Sequence, residues 1–193
     1  TVYGEEEIEA VIKCLRESTQ MGNYSRKFEA KISDLFDKKE TLYVNSGSSA
    51  LFIGIEAMNF PEGSEVITPS LTFGTTVGCL LKNDLVPVFL DVKPLTYCID
   101  ESLIEGAITD KTVAILAPNL MGNVCNWPYI REIANKNNLI VIEDSADTLG
   151  ATINGKKSGS FSDMSITSFY GSHIINCAGN GGSLSLNDET VIE

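Results

Sequence analysis

L-I-V-I-E-D-S-A-D, Leu139 to Asp147, changes character halfway along. A short apolar run rich in β-branched residues ends in Glu143, Asp144 and, three residues later, Asp147. The run is too short for a helix and fits a strand covered on both faces. The same unit recurs on the N-terminal side, in T-L-Y-V (41–44), E-V-I-T (65–68), V-P-V-F-L-D-V (86–92) and V-A-I-L-A (113–117). Two further runs follow, M-S-I-T-S-F-Y (164–170) and G-S-L-S-L (182–186). Helical stretches separate most of them. The alternation predicts an α/β fold, a mostly parallel seven-stranded sheet flanked by helices.

Ahead of the sheet, Ile8, Val11, Ile12 and Leu15 recur at helical spacing, and Glu5 to Glu7 fall in the first turn, where the helix dipole favours acids. A second helix is predicted to bury Phe28, Ile32, Leu35 and Phe36. The chain has 193 residues, 43% of them hydrophobic, with a net charge of -12. That balance argues against a nucleic-acid backbone or an anionic membrane as partner, since both need a basic surface. No run approaches the roughly 18 apolar residues of a membrane helix, and no secretory leader is expected. The five scattered cysteines form no C-x-x-C pair, which speaks against a zinc ribbon and for reduced thiols in a cytoplasmic protein.

In open α/β sheets ligands bind at the carboxyl ends of the strands. Three motifs fall there. N-S-G-S-S-A-L (Asn45 to Leu51) joins a strand to a helix. Gly47 permits a tight turn, and Ser48 and Ser49 stand beside free helix amides, as a phosphate site or as an ordinary serine cap. Asp144 is costly to bury unless a cation or several donors meet it, and a protonated heterocyclic nitrogen qualifies; capping of a following helix is the alternative. In S-F-Y-G-S-H stands His173, the one histidine of the chain, either a structural residue or a general base. Phe73, in T-P-S-L-T-F, fits a core position or a platform for a flat ring.

Taken in order, G-E-E-E-I-E-A-V, M-G-N-Y-S-R-K-F-E, V-N-S-G-S-S-A-L, V-I-T-P-S-L-T-F, P-V-F-L-D-V, I-E-D-S-A-D-T-L-G-A and S-F-Y-G-S-H…G-N-G-G resemble the DegT/DnrJ/EryC1/StrS sugar aminotransferase family. The resemblance implies the large domain of the aspartate-aminotransferase fold across residues 1–193, with a small C-terminal domain outside this sequence. It implies pyridoxal phosphate or pyridoxamine phosphate as cofactor. Asp144 then corresponds to the partner of the pyridinium nitrogen, Phe73 to the aromatic stacked on the ring, and Gly47, Ser48 and Ser49 to the phosphate loop. Ser168 corresponds to a serine that also reaches the phosphate.

Two positions depart from the aminotransferase pattern. The Schiff-base lysine is replaced by His173, and the glutamine three residues after the aspartate by Asp147. Both resemble the subgroup that dehydrates nucleotide-linked 4-keto-6-deoxy sugars at C3, in deoxysugar and surface-polysaccharide synthesis. A lysine amine condenses with the cofactor aldehyde and tethers it. An imidazole forms no such stable imine, so the amine form of the cofactor can persist unattached, with histidine as the base. Implied partners are the nucleotide sugar, glutamate or a reductase as electron source, and a second copy in a homodimer. The competing expectations are a nucleotide-sugar aminotransferase that accepts histidine and a non-catalytic binding protein on the same fold.

Overall fold

A computed structural model of the chain describes residues 3–187. Seven strands form one sheet: β1 (Glu40–Val44), β2 (Glu65–Pro69), β3 (Val86–Leu90), β4 (Thr112–Pro118), β5 (Ile140–Asp144), β8 (Met164–Ser168) and β9 (Gly182–Leu186). Their spatial order is β1-β9-β8-β5-β4-β2-β3. The β2–β3, β2–β4, β4–β5 and β5–β8 pairs are parallel, and β9 runs antiparallel to both β1 and β8. The expected mostly parallel seven-stranded sheet is therefore present. A short hairpin, β6 (Thr152–Ile153) and β7 (Lys156–Lys157), lies outside it. Its turn is Asn154-Gly155, both at positive φ, the signature of a two-residue hairpin that the strand pattern alone did not reveal.

The helices are α1 (Glu5–Glu17), α2 (Asn23–Phe36), α3 (Gly47–Ala57), α4 (Gly74–Lys82), α5 (Ile104–Ala107) and α6 (Trp127–Asn137). Side chains alternate across a strand, and the sheet uses this to serve two cores. Val66, Ala114, Leu116, Ile142, Met164, Ile166, Leu184 and Leu186 join the α3/α4 cluster with Leu51, Ile55 and Leu80. Ile67, Ile115, Ala117 and Val141 point the other way and join the α6 cluster around Trp127, Ile130 and Ile133. Burial on both faces is why the central strands read as continuous apolar runs.

The faces differ near β1, β9 and β8. Thr41, Glu143, Ser165, Thr167, Ser183 and Ser185 are all buried there. Hydroxyls bond one another, as Thr41 does with Ser185 at 2.7 Å and Ser162 with Ser165 at 2.8 Å. Lys38, also buried, donates to the carbonyls of Gly159 and Ser162, the latter at 2.6 Å.

Of the expected α2 face, Ile32 and Phe36 are buried and Phe28 and Leu35 pack against them with Phe169. The α1 helix forms where expected, but its apolar stripe is open: Ile8, Val11, Ile12 and Leu15 are all exposed.

Candidate functional site

Strand parity places the site. Asp144 follows Ile142 by two residues and Ser168 follows Ile166 by two, so both side chains belong to the face covered by α3. Because β9 runs against its neighbours, its first residue, Gly182, pairs with Ser168 on one side and Val44 on the other. The start of α3 packs directly on this junction. A Cβ at Gly47 would lie 2.7 Å from the Ser168 Cβ, and one at Gly182 would run into the Ser46 and Gly47 backbone.

The N-terminus of α3 is capped by Ser46, whose Oγ accepts the Ser49 N–H at 3.1 Å. Ser49 Oγ bonds the same cap at 3.1 Å and does not line the cavity. Ser48 does line it, with its hydroxyl 3.2 Å from Thr75 Oγ1 at the start of α4. The helix opening, with its oriented amides and dipole, faces the cavity and suits an anion.

That cavity measures about 480 Å³, within the range of small-molecule sites. Gly47, Ser48, Phe73, Asp144, Asp147, Ser168 and His173 line it together. Of the eight residues singled out from sequence, only Ser49 stands aside. Phe73 is no core residue: it precedes α4 and is 69% exposed at the cavity wall.

Asp144 does not cap a helix, because the chain after β5 continues as turns. Its Oδ1 accepts the Ala146 N–H at 3.0 Å. Burial pushes its carboxyl up to about 6, with Asp147 and Glu143 adding in the same direction and the Ala146 N–H opposing. Such a group is under-compensated and is stabilised by a cation placed against it. A protonated ring nitrogen satisfies that need, so the donor set fits a pyridoxal-type cofactor: an anion cradle at α3, an aromatic wall and a carboxylate.

His173 Nδ1 lies 3.2 Å from Asp147 Oδ1. The other oxygen, Oδ2, accepts the Met121 N–H at 2.9 Å. The carboxylate is thus held from both sides. An imidazole protonated at Nδ1 donates to it and keeps the Nε2 lone pair free. The edge of Tyr170 faces the His173 ring at a centroid distance of 6.2 Å. The loop that carries His173, residues 169–181, is tied by Cys177 N–H to Phe169 O at 3.1 Å and Ala178 N–H to Tyr3 Oη at 2.9 Å. Among the described residues no lysine lines the cavity.

Sequence reasoning passed over Ser46, Thr75 and Asn119. Asn119 stands directly after a strand, at the sheet edge where ligands bind, and that position was the available signal.

A model of the DegT/DnrJ/EryC1/StrS aminotransferase family matches residues 2–193. The chain belongs to this family. Within it, GDP-perosamine synthase of Caulobacter vibrioides is 36% identical over 93% of this chain and 48% of its own length. The dTDP-4-dehydro-2,6-dideoxy-D-glucose 3-dehydratase of Saccharopolyspora spinosa is also 36% identical, over 83% of this chain and 36% of its own. The structure of E. coli GDP-4-keto-6-deoxy-D-mannose-3-dehydratase with bound hydrated PLP aligns at a TM-score of 0.92 and 32% identity, covering 99% of this chain and 51% of that one. The chain spans about half the length of the curated relatives it matches, or less.

Proposed function

We propose that this chain forms the cofactor-binding part of a pyridoxamine-phosphate-dependent enzyme that removes the C3 hydroxyl of a nucleotide-linked 4-keto-6-deoxy sugar. One observation carries the reading. At the position where the resemblance places a tethering lysine stands His173, with Nδ1 against Asp147 and no lysine in the cavity among the described residues.

When bound, the cofactor would supply an amine for the 4-keto group and a ring able to take up electrons, the chemistry that loss of the C3 hydroxyl as water requires. The side chains divide the remaining work. Ser48, Ser168 and the amides at Gly47 hold the phosphate. Phe73 covers one ring face. Asp144 keeps the ring nitrogen protonated and gains the counter-charge that its burial demands. His173 removes the proton through Nε2, and Asp147 fixes its tautomer and steadies the positive charge it acquires. Glutamate or a reductase restores the amine form between turnovers.

Phe73 and Tyr170, both at the cavity wall, leave exposed aromatic surface beside it. A second copy in a homodimer covers it in this reading, which sedimentation of the full-length protein tests.

The aminotransferase reading has in its favour relatives such as GDP-perosamine synthase at equal identity. Against it, no lysine that could exchange the cofactor lines the cavity among the described residues. The deciding experiment supplies the full-length protein with PLP and glutamate and offers GDP- and CDP-linked 4-keto-6-deoxy sugars. Loss of the C3 hydroxyl supports deoxygenation. Formation of a 4-amino sugar refutes it, and failure to bind either cofactor form favours a non-catalytic protein.

A further inference from the structure

We propose that Asn119 is a positioning residue for the Asp147–His173 pair, acting through the loop that offers the Met121 N–H to Asp147. The inference deepens the reading of His173 as base and rests on it. Asn119 follows β4 and is 1% exposed. Its amide is engaged at every lone pair and hydrogen that geometry allows. Nδ2 donates to Glu143 Oε1 at 3.0 Å and to Ser145 Oγ at 2.9 Å. Oδ1 accepts the Cys125 N–H and the Trp127 Nε1–H, both at 2.9 Å. Its backbone N–H donates to the Asp144 carbonyl at 2.9 Å. One residue thus ties the strand bearing Asp144 to both ends of the loop 119–125.

That loop has an unfavourable shape. Met121 and Gly122 have φ of 56° and 84°, and the left-handed region costs a residue such as methionine energy. The Met121 side chain is 72% exposed, so packing does not hold it in place. The loop is held by hydrogen bonds: the bridge from Asn119 to Cys125, the Met121 N–H on Asp147, the Asn123 N–H on the Leu120 carbonyl at 3.0 Å and the Cys98 thiol on the Asn123 carbonyl at 3.4 Å. Of these, the Asn119 bridge is the one that ties it to the strand bearing Asp144.

The anchor beneath is rigid. Glu143 is fully buried, and Ser145 and Asn119 donate to its Oε1 at 2.7 and 3.0 Å. Removing the amide frees the loop to relax toward ordinary backbone angles. Met121 N–H then leaves Asp147, and the carboxylate no longer presents Oδ1 squarely to the imidazole.

His173 is the one histidine of the chain, so its imidazole nitrogen signals are unambiguous in long-range 1H–15N spectra of the unliganded protein. Near pH 8 the parent protein should show the Nδ1–H form in excess. Asn119→Leu, of similar size, should lower the ratio of Nδ1–H to Nε2–H about fivefold, the worth of one ordinary hydrogen bond. An unchanged ratio overturns the proposal. If Asn119→Leu does not fold, Asn119→Ser, too short to reach both Cys125 and Glu143, is read by the same criterion.

Ser165→Ala removes a different buried partner of Glu143, at 3.3 Å on Oε2, and should leave the ratio unchanged. A fall there as large as in the Asn119 variant would indicate general loosening and also overturn the proposal. The base reading fails separately: deoxygenation by His173→Asn at the parent rate would sink it without bearing on the tautomer ratio.

Discussion

Gly47 and Ser168 meet so closely that a methyl group at position 47 would lie 2.7 Å from the Ser168 Cβ. Both neighbours are fixed, one by the first turn of α3 and the other by its ladder partner Gly182. Gly47→Ala gains helix propensity of about 1 kcal/mol, yet the collision outweighs it. Overpacking of this kind costs roughly 1–3 kcal/mol. The expected result is a lower urea midpoint and weaker binding of pyridoxamine phosphate by calorimetry. Unaltered stability together with unaltered affinity would show that the contact yields easily.

Asp144 gives a pH signature. Its folded pKa, about 6, lies above that of an exposed aspartate, about 3.9. The folded state therefore holds this proton more tightly. The stability contributed is full below about pH 4 and is lost as pH rises through 6. Asp144→Asn should make the unliganded protein more stable than the parent at pH 7.5, by up to about 2–3 kcal/mol, with the gap closing near pH 4. The same variant should bind the cofactor less well. Denaturant curves at several pH values test the first claim, and a gap independent of pH refutes it.

His173→Lys restores an amine at the candidate tether position. Treated with PLP and borohydride, the variant should gain a covalent adduct visible by mass, while the parent gains none at this position. It should also lose deoxygenation. If it removes the hydroxyl as fast as the parent, the role given to His173 is wrong.

Lys38 titrates in the opposite sense. Burial lowers it to about 8, so the folded state favours the neutral amine. Stability from this group is full above the unfolded value near 10.4 and is lost as pH falls through 8. Lys38→Met strands the carbonyls of Gly159 and Ser162 and should destabilise the protein. That deficit should widen by about 1–2 kcal/mol between pH 7 and 9.5, as the parent gains and the variant does not. Parallel unfolding curves at the two pH values measure it.

The sheet was legible because its central strands are buried on both faces, and Val66, Ile67, Ala114 to Ala117 and Val141 to Ile142 leave little else to read. The serine-apolar alternation of M-S-I-T-S and G-S-L-S-L was less candid. Such alternation ordinarily marks a wetted face, whereas here Ser165, Thr167, Ser183 and Ser185 are wholly buried. The partners of Ser165, Thr167 and Ser185, namely Glu143, the Ser145 carbonyl and Thr41, come from other parts of the chain, and no local pattern announces them.

The site was legible in kind rather than in detail. Asp144 and Ser168 are placed by strand parity, which any reader of the pattern can count. Asp147 touching both His173 and Met121 depends on a loop at left-handed angles, which side-chain periodicity does not encode. The α1 stripe was read correctly as helical, but periodicity names a face without naming what meets it.

The antiparallel strand β9 has one more consequence. The segment with His173 leaves the sheet at Ser168 and returns at Gly182, and these two residues are partners in the same ladder. It is an insert whose two ends are clamped side by side. No ladder pair of the described sheet involves position 173. In a fold arranged in this way the residue at position 173 can be exchanged without touching a strand of the sheet.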